Sequence, residues 1–252
     1  MTTNLKKCLV IGGSGYVGYE VCRTLAANGA AVGFTYYQNR ERAAALSAEF
    51  SDCRGYPLEL GNIPEIHRVV SRIITDLDGV DALIHCAGSR GGTTDFVNQA
   101  QYMLDQFTGL DAATWDDEFN VNTKSVFAVC QTVVKQMQGE GPFNLVLLGS
   151  LNAAKPVPAP VAYAASKGAL KSLVEVLSKT LGERHICVNL VAPGILEQGA
   201  SCQVHDDLKK EYLKHCALGR LGTAEDIARF MSWLALENTY MTGQTILLDG
   251  GL

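Results

Sequence analysis

The sequence predicts an α/β fold, with one doubly wound parallel sheet of about seven strands and helices on both faces. Short β-branched or apolar runs alternate with longer segments whose apolar residues recur at helical spacing. Such alternation is typical of parallel strands joined by covering helices. The 252 residues, 47% of them hydrophobic, contain no repeat or linker that would mark a second domain. We therefore expect residues 1–252 to form a single domain.

The individual elements follow from these runs and from their end signals. Asn28 and Gly29 end the first helix, and Thr223 is placed to cap the last. The predicted strands are residues 8–11, 31–35, 56–60, 82–87, 145–148, 186–192 and 245–248, of which 56–60 has the weakest pattern. The predicted helices are residues 16–27, 40–50, 63–77, 114–137, 163–181, 206–216 and 224–236.

Composition and charge argue against several classes of function. The formal net charge is -5 and the pI is near 5.5, whereas nucleic-acid and anionic-membrane binding favour clustered Lys and Arg. No apolar run approaches the ~20 residues that a membrane helix needs. The eight cysteines are scattered through apolar segments, as expected of reduced, buried thiols. We expect a cytoplasmic protein without nucleic-acid or membrane partners.

A glycine-rich turn, IGGSGYVG at residues 11–18, joins the first predicted strand to the first predicted helix. In dinucleotide-binding folds, helix N-terminal amides at this place hold a pyrophosphate. Gly12 would allow the sharp turn, Gly15 would let the backbone approach phosphate, and Gly18 would let helix and strand pack closely. The alternative is a purely structural turn. Together with the motifs in the rest of the chain, the turn predicts a Rossmann-type domain.

The segment YAASK at residues 163–167 places Tyr163 and Lys167 on one helix face, because residues four apart are neighbours there. A positive charge ~4 Å away favours the phenolate by up to ~4 kcal/mol, so we expect Tyr163 to exchange protons near neutral pH. Ser150 ends a predicted strand at the edge where such sheets bind ligands, and would orient a substrate carbonyl. The alternative is an amphipathic helix with a packed tyrosine and a solvated lysine.

Further motifs extend the pattern over nearly the whole chain. They are HCAG (85–88), NVN (120–122), VNLVAPG (188–194), GRLGTAEDIA (219–228) and TGQTILLDGG (242–251). In this order, with the glycine turn, Ser150 and YAASK, the sequence resembles the short-chain dehydrogenase/reductase family in its single-domain branch. Its pattern is most similar to 3-oxoacyl-[acyl-carrier-protein] reductase-like ketoreductases of fatty-acid and polyketide assembly.

The resemblance implies a role for each of four catalytic residues. Tyr163 would be the proton donor, and Lys167 would tune it and bind the nicotinamide ribose. Ser150 would hold the carbonyl, and Asn122 would belong to a proton relay.

Three features of the sequence depart from the family pattern. Tyr16 stands where this branch usually has glycine, a spacing similar to that of longer sugar-nucleotide-modifying relatives. His85 and Cys86 replace a usual pair of asparagines, which removes side-chain hydrogen bonds between central strands. Gln198 follows the Pro-Gly pair where threonine is common, and its amide would contact the nicotinamide carboxamide.

The end of the second predicted strand bears on the choice of cofactor. NAD enzymes usually present an acidic residue there, and the segment FTYYQNRER contains none before Arg40. Tyr36 and Tyr37 leave room for a 2′-phosphate, and Arg40 would pair with it, which favours NADPH while not excluding NADH. The alternative is that Arg40 and Arg42 form a solvated helix face. The predicted cofactor-binding residues are Gly12, Ser14, Gly15, Tyr16, Val17, Gly18, Tyr36, Tyr37, Arg40, Glu59, Leu60, Ala87, Gly88, Tyr163, Lys167, Pro193, Gly194 and Ile195.

Two segments are candidates for shaping a substrate pocket. Residues 89–109 are longer than the family's usual connection, and four apolar residues have helical spacing there: Phe96, Ala100, Met103 and Phe107. They predict an extra pocket helix, with a simple packing insertion as the alternative. By resemblance, residues 196–218 form the substrate lid. Cysteines and histidines in that lid match no established metal pattern, so we expect no metal site.

These observations predict an NADPH-dependent reductase that converts a ketone, such as a 3-oxoacyl thioester or polyketide-type carbonyl, to a secondary alcohol. The alternatives are NAD(P)-dependent oxidation of a sugar- or steroid-type alcohol and a non-catalytic nucleotide-binding subunit. Lys171 and Lys179 would meet an acidic acyl carrier protein. Against this interpretation, Glu140 lies before Ser150 where carrier-binding relatives tend to be basic. The resemblance also implies a homotetramer. Its contacts would include a helix face that is equally compatible with internal core: Ile227, Phe230, Met231 and Leu234.

Overall fold

The computed structural model describes residues 5–89, 99–139 and 141–252. The strands are β1 (Lys7–Ile11), β2 (Ala31–Tyr36), β3 (Cys53–Pro57), β4 (Ala82–His85), β5 (Phe143–Leu148), β6 (Ile186–Pro193) and β7 (Thr245–Leu248). The helices are α1 (Tyr16–Ala27), α2 (Arg40–Glu49), α3 (Ile63–Asp76), α4 (Gln99–Thr108), α5 (Ala112–Phe119), α6 (Ser125–Gln136), α7 (Val161–Leu181), α8 (Asp206–His215) and α9 (Ala224–Leu236).

The strands form one parallel sheet in the order β3-β2-β1-β4-β5-β6-β7. The chain builds outward from β1 to β3, then returns to the other side of β1 to continue with β4. This reversal opens a crevice at the carboxyl ends of β1 and β4, where doubly wound sheets bind their ligands. The predicted fold class is confirmed.

The alternating direction of strand side chains produces an apolar core on each face of the sheet. Leu9 and Ile11 of β1 pack on one side with α3, α6 and α7, whereas Cys8 and Val10 pack on the other with α1, α2 and α9. All four of these side chains are fully buried, which explains why the central strands are continuous apolar runs.

Polar caps fix the starts of several helices that carry site residues or flank them. The Thr223 hydroxyl accepts from the Asp226 N–H, and the Asp226 carboxylate accepts from the Thr223 N–H, which together form a capping box at α9. The side chains of Asn39 and Asn62 cap α2 and α3, and each accepts a hydrogen bond from one backbone N–H.

The structure differs from the sequence prediction at two elements. The helix expected at residues 114–137 is divided into α5 and α6 by a π-helical turn at Asn120–Lys124. A π turn holds one more residue than an α turn, which apolar spacing hardly reveals. The strand expected at residues 56–60, which has the weakest apolar pattern, lies earlier, at Cys53–Pro57. Its register with β2 pairs Val32 with Cys53 and Tyr36 with Pro57. This edge strand exposes Arg54, so its apolar pattern is incomplete.

The apolar face of α9 belongs mainly to the interior of the fold. Ile227, Met231 and Leu234 are at most 1% exposed and pack in the core cluster that includes α1, in agreement with the alternative that they are internal core. Phe230 is partly buried and stacks on Trp233, which is 46% exposed. Only the outer edge of this helix presents apolar surface.

The described part of the chain contains no helix that is both long and apolar enough to cross a membrane. All eight cysteines lie within it as free thiols, and only Cys202 is exposed.

Candidate active site

The glycine-rich loop lies between β1 and α1, beside the crevice between β1 and β4. Gly12 has a φ of +82°, which favours glycine, and its N–H donates to Thr35 Oγ1 at 3.0 Å. A Cβ on Gly12 would lie 2.8 Å from the Cβ of Ala87, and a Cβ on Gly18 would lie 2.2 Å from the Gly12 carbonyl oxygen. The loop therefore requires bare backbone at both positions.

The start of α1 supplies the free backbone donors of this loop. Gly15 is the N-cap of α1, and its own N–H donates to the Gly12 carbonyl at 3.0 Å. The N–H groups of the first helical turn, residues 16–18, have no partner within the helix. The side chains of Ser14 and Val17 are buried, so Val17 would contact a phosphate only through its backbone. This arrangement is suited to holding an anion at the helix N-terminus.

The side chain of Tyr16 contacts two segments from later in the chain. Its hydroxyl accepts from the Ala224 N–H at the start of α9 at 3.3 Å. A Cβ on Gly199 would come within 3.0 Å of the Tyr16 Cβ, so the side chain also contacts the segment that follows β6. In this geometry, Tyr16 would therefore contribute to cofactor binding through its backbone N–H and not through its side chain.

Three predicted catalytic side chains lie together at the carboxyl edge of β5 and the start of α7. The Ser150 side chain lies close enough to the Tyr163 hydroxyl to lower the pKa of Tyr163, and Ser150 Oγ donates to Asn152 Oδ1 at 3.0 Å. Lys167 Nζ lies 5.8 Å from the centroid of the Tyr163 ring and is only 5% exposed. A serine hydroxyl, a phenol and an ammonium are thus brought to one place.

Burial has opposite effects on the pKa values of this phenol and this ammonium. Burial raises the pKa of Tyr163, the nearby Ser150 hydroxyl lowers it, and the charge of Glu118 raises it. Burial lowers the pKa of Lys167 to about 8, although Glu118 opposes this decrease. The expectation that Lys167 brings the pKa of Tyr163 towards neutrality is not met in this geometry, because desolvation of the phenolate dominates. Tyr163 therefore holds its proton at neutral pH, as an acid must before it can donate.

Asn122 lies in the π turn, fully buried, and its amide joins several chain segments. Its Nδ2 donates to Glu118 Oε2 at 2.8 Å and to Ser166 Oγ at 2.9 Å, with Ser89 Oγ also 2.9 Å away. Its Oδ1 accepts from the Ser89 N–H at 2.9 Å. A Cβ on Gly88 would lie 3.0 Å from both Asn122 Oδ1 and Lys167 Nζ, so only glycine fits between them.

His85 and Cys86 lie beneath Lys167 at the end of β4. His85 is 1% exposed, and burial followed by the charge of Lys167 lowers its pKa to about 3. Burial raises the pKa of Cys86 to about 12, which Lys167 opposes. Both groups are therefore neutral at physiological pH. His85 Nε2 is buried without a hydrogen-bond partner. This is consistent with the expectation that replacing the usual asparagines removes side-chain hydrogen bonds between the central strands.

Comparisons with known proteins agree with this arrangement over the length of the chain. Residues 14–252 match the family model described as Enoyl-(Acyl carrier protein) reductase. Nodulation protein G of Rhizobium sp. (strain N33) is 30% identical over 249 residues, which cover 98% of this chain and 96% of that protein. The 3-oxoacyl-[acyl-carrier-protein] reductase FabG of Chlamydia muridarum (strain MoPn / Nigg) is 29% identical over 250 residues, which cover 98% and 97% of the two chains.

A solved structure is also similar over nearly the whole chain. The short chain dehydrogenase of Burkholderia cenocepacia J2315, determined in complex with NADP, has a TM-score of 0.85 and 26% identity, and the match covers 98% of this chain and 97% of that one. The chain belongs to the short-chain dehydrogenase/reductase family. It is an oxidoreductase that acts on carbonyl or hydroxyl groups.

The residues predicted to bind the adenosine lie at the carboxyl ends of β2 and β3 in this short-chain dehydrogenase/reductase. The Tyr37 hydroxyl donates to Glu59 Oε1 at 3.3 Å, and both residues are exposed. Arg40 is the first residue of α2 and is exposed, whereas the Arg42 guanidinium lies 4.3 Å from the centroid of the Tyr19 ring. The sequence offers Arg40 and Arg42 as candidates near a 2′-phosphate. Arg42 makes this contact with an aromatic ring, whereas Arg40 does not.

The end of β6 is held to α8 by close packing. A Cβ on Gly194 would lie 2.2 Å from the Tyr212 hydroxyl of α8, and that hydroxyl donates to the Asp249 carbonyl at 2.6 Å. The Ile195 carbonyl accepts from the Gly222 N–H at 3.0 Å. The predicted cofactor residues 193–195 therefore lie between the core sheet and the proposed lid.

The connection after β4 contains the extra helix predicted from the sequence, as α4. Phe96 lies outside the described residues, and Phe107 is 66% exposed, so Phe107 does not face a closed pocket in this structure. Sequence reasoning missed Ser89 and Glu118, which contact Asn122. Glu118 and Asn122 are four residues apart, and this spacing is the one feature of the sequence that would have suggested their contact.

Proposed function

We propose that this short-chain dehydrogenase/reductase uses NADPH to reduce a ketone to a secondary alcohol, with a 3-oxoacyl thioester or polyketide-type carbonyl as substrate. The observation that carries the proposal is the placement of the Ser150 and Tyr163 hydroxyls together beside buried Lys167. A substrate carbonyl that accepts from both hydroxyls would be polarised for hydride attack at its carbon.

The chemistry needs one hydride and one proton, which come from different groups. Bound NADPH supplies the hydride to the carbonyl carbon. Tyr163 donates its proton to the oxygen as negative charge develops there, Ser150 orients that oxygen, and Lys167 places a positive charge nearby. Tyr163 then recovers a proton from water before the next turnover.

The proposal for NADPH rests on the absence of an acidic residue at the end of β2 and on the exposed guanidinium of Arg40. The glycine loop and the first turn of α1 would hold the pyrophosphate, and Glu59, Leu60, Ala87 and Gly88 would flank the adenosine. The similar structure from Burkholderia cenocepacia was determined with NADP, which supports the same choice.

The substrate proposal follows from similarity to curated 3-oxoacyl-[acyl-carrier-protein] reductases at 26–29% identity. Lys171 and Lys179 of α7 would meet an acidic carrier protein. Residues 196–218 would close over the substrate, and residues 89–109 would border it.

We further propose a homotetramer. Phe127 and Val176 expose apolar area on α6 and α7, whereas Trp233 and Tyr240 do so beside β7. Two separate apolar surfaces are what an assembly with two kinds of interface requires.

The proposed function is tested by supplying the purified protein with NADPH or NADH and a panel of carbonyl compounds. The panel includes one 3-oxoacyl group as a small thioester and as a carrier-protein thioester, together with unactivated ketones. We expect NADPH consumption with the thioesters, measured by absorbance, and a higher kcat/KM for the carrier-bound form. Oxidation of secondary alcohols with NAD and no reduction of any ketone would contradict the proposal.

Replacement of Arg40 tests the cofactor assignment separately. Arg40→Gln should weaken NADPH binding about tenfold or more, because a charge-assisted hydrogen bond to the 2′-phosphate contributes roughly 1.5–3 kcal/mol. NADH binding should be unchanged. The measurement is the Kd of each coenzyme by calorimetry. Arg42→Gln is the matched control, since Arg42 contacts Tyr19, and equal losses in the two variants would refute the role of Arg40.

A further inference from the structure

A carboxylate outside the predicted catalytic set is hydrogen-bonded into the site. Glu118 lies in the last turn of α5 and is half-buried. Its Oε2 accepts from Asn122 Nδ2 at 2.8 Å and from the Ser89 hydroxyl in a short hydrogen bond. The two donors come from the π turn and from the loop after β4, so the carboxylate is held from two sides.

This carboxylate is linked through the amide of Asn122 to the place where the buried ammonium of Lys167 lies. The side-chain oxygen of Asn122 and Lys167 Nζ both lie against Gly88, at 3.0 Å from the position of an added Cβ. Lys167 is nearly inaccessible to water, so charge at Glu118 is weakly screened from it. Glu118 is thus an ionisable group joined to the catalytic cluster by direct contacts.

The other titratable groups near Lys167 and Tyr163 contribute no comparable charge. His85 and Cys86 at the end of β4 are neutral at physiological pH, for the reasons given above. Ser150 and Ser166 contribute neutral hydroxyls. Among the described residues, Glu118 is the carboxylate whose charge affects both Tyr163 and Lys167.

We propose that Glu118 is a positioning residue that keeps the protons on Tyr163 and Lys167, and thereby extends ketone reduction to more alkaline pH. This inference rests on the proposed function, because it concerns the proton that Tyr163 gives to the substrate. Glu118 does not touch the reacting atoms. It acts through its negative charge and through the amide of Asn122.

The sign of the effect is the same for both groups. The negative charge of Glu118 raises the pKa of Tyr163 and the pKa of Lys167. Without that charge, each group loses its proton at a lower pH. Reduction requires the protonated phenol, because its O–H bond breaks as the new alcohol O–H bond forms. The alkaline limit of reduction is therefore expected to move to lower pH when the charge is removed.

The decisive variant is Glu118→Gln, whose amide oxygen can still accept from Asn122 and Ser89. We expect the basic limb of the pH profile of kcat/KM for ketone reduction to move down by about one pH unit, as for the loss of one charge at short range. Glu118→Asp keeps the charge and should restore the parent profile. Asp117→Asn removes an exposed carboxylate from the neighbouring position of α5 and should leave the profile unchanged.

A readout that needs no substrate separates this inference from the proposed function. Tyrosinate absorbance is titrated in the parent protein and in Tyr163→Phe, and the difference reports Tyr163. The same difference in a Glu118→Gln background should titrate at lower pH. If the parent reduces no ketone, the proposed function fails while this titration still tests Glu118.

Folding of each variant is checked by circular dichroism and thermal melting. If Glu118→Gln does not fold, Glu118→Ala replaces it, because water can reach this half-buried position. A folded charge-removing variant with an unshifted Tyr163 titration and an unshifted pH profile would overturn the proposal. A uniform loss of kcat at every pH would also overturn it, since that result indicates a structural role alone.

Discussion

Tyr163→Phe is expected to lower kcat for ketone reduction by about 10³-fold or more, while the Kd for NADPH remains within about twofold of the parent value. The phenyl ring fills the same space, but it has no proton to give to the developing alkoxide and no hydroxyl to pair with Ser150. The hydroxyl that lies beside Ser150 is the group that this substitution deletes.

The measurements are steady-state turnover of the best ketone from the panel and NADPH binding by calorimetry. Tyr240→Phe is the matched control, because Tyr240 is 95% exposed and the substitution removes the same atom from the surface. It should leave turnover and binding unchanged. Near-normal turnover by Tyr163→Phe would show that another group supplies the proton, and the proposed mechanism would be wrong.

Gly18→Ala is expected to weaken NADPH binding by at least about 100-fold and to lower the free energy of unfolding by roughly 1–3 kcal/mol. The added methyl group would lie 2.2 Å from the Gly12 carbonyl oxygen, and both partners are backbone. The clash cannot be relieved by rotating a side chain. Instead, the loop must move away from α1, which displaces the backbone donors that would hold the pyrophosphate.

Calorimetry with NADPH and urea unfolding measure the two effects of Gly18→Ala. Gly182→Ala is the control, because Gly182 is exposed, has helical φ and ψ, and would have no atom within 4 Å of an added Cβ. It should keep the parent affinity and change stability by no more than about 0.5–1 kcal/mol. Unchanged NADPH affinity in Gly18→Ala would exclude the loop as the pyrophosphate site.

The features that the sequence predicts well are local and periodic. Strands β1 and β4–β6 are apolar runs because both of their faces are covered, and this covering makes them visible without coordinates. Likewise, Tyr163 and Lys167 share a helix face through their spacing alone. Gly12 and Gly18 were predicted from the loop motif, and the close contacts of their backbone explain why glycine stands there.

The features that the sequence does not predict depend on contacts between distant segments. Ser89 and Glu118 meet at Asn122 only because the chain after β4 lies against α5. The π turn that presents Asn122 changes the helix by a single residue, which apolar spacing does not detect. The pKa of Tyr163 was misjudged because proximity of charge can be inferred from a motif, whereas desolvation depends on the completed fold.

Tyr16 joins the glycine loop to two segments that lie far along the chain. Its backbone begins the helix that follows the glycine loop, while its ring and hydroxyl reach Gly199 and Ala224, more than 180 residues later in the chain. Residues 199–203 cannot shift relative to the loop without breaking these contacts or carrying the ring with them. A movement at the start of α1 is in this way coupled to the segment that follows β6.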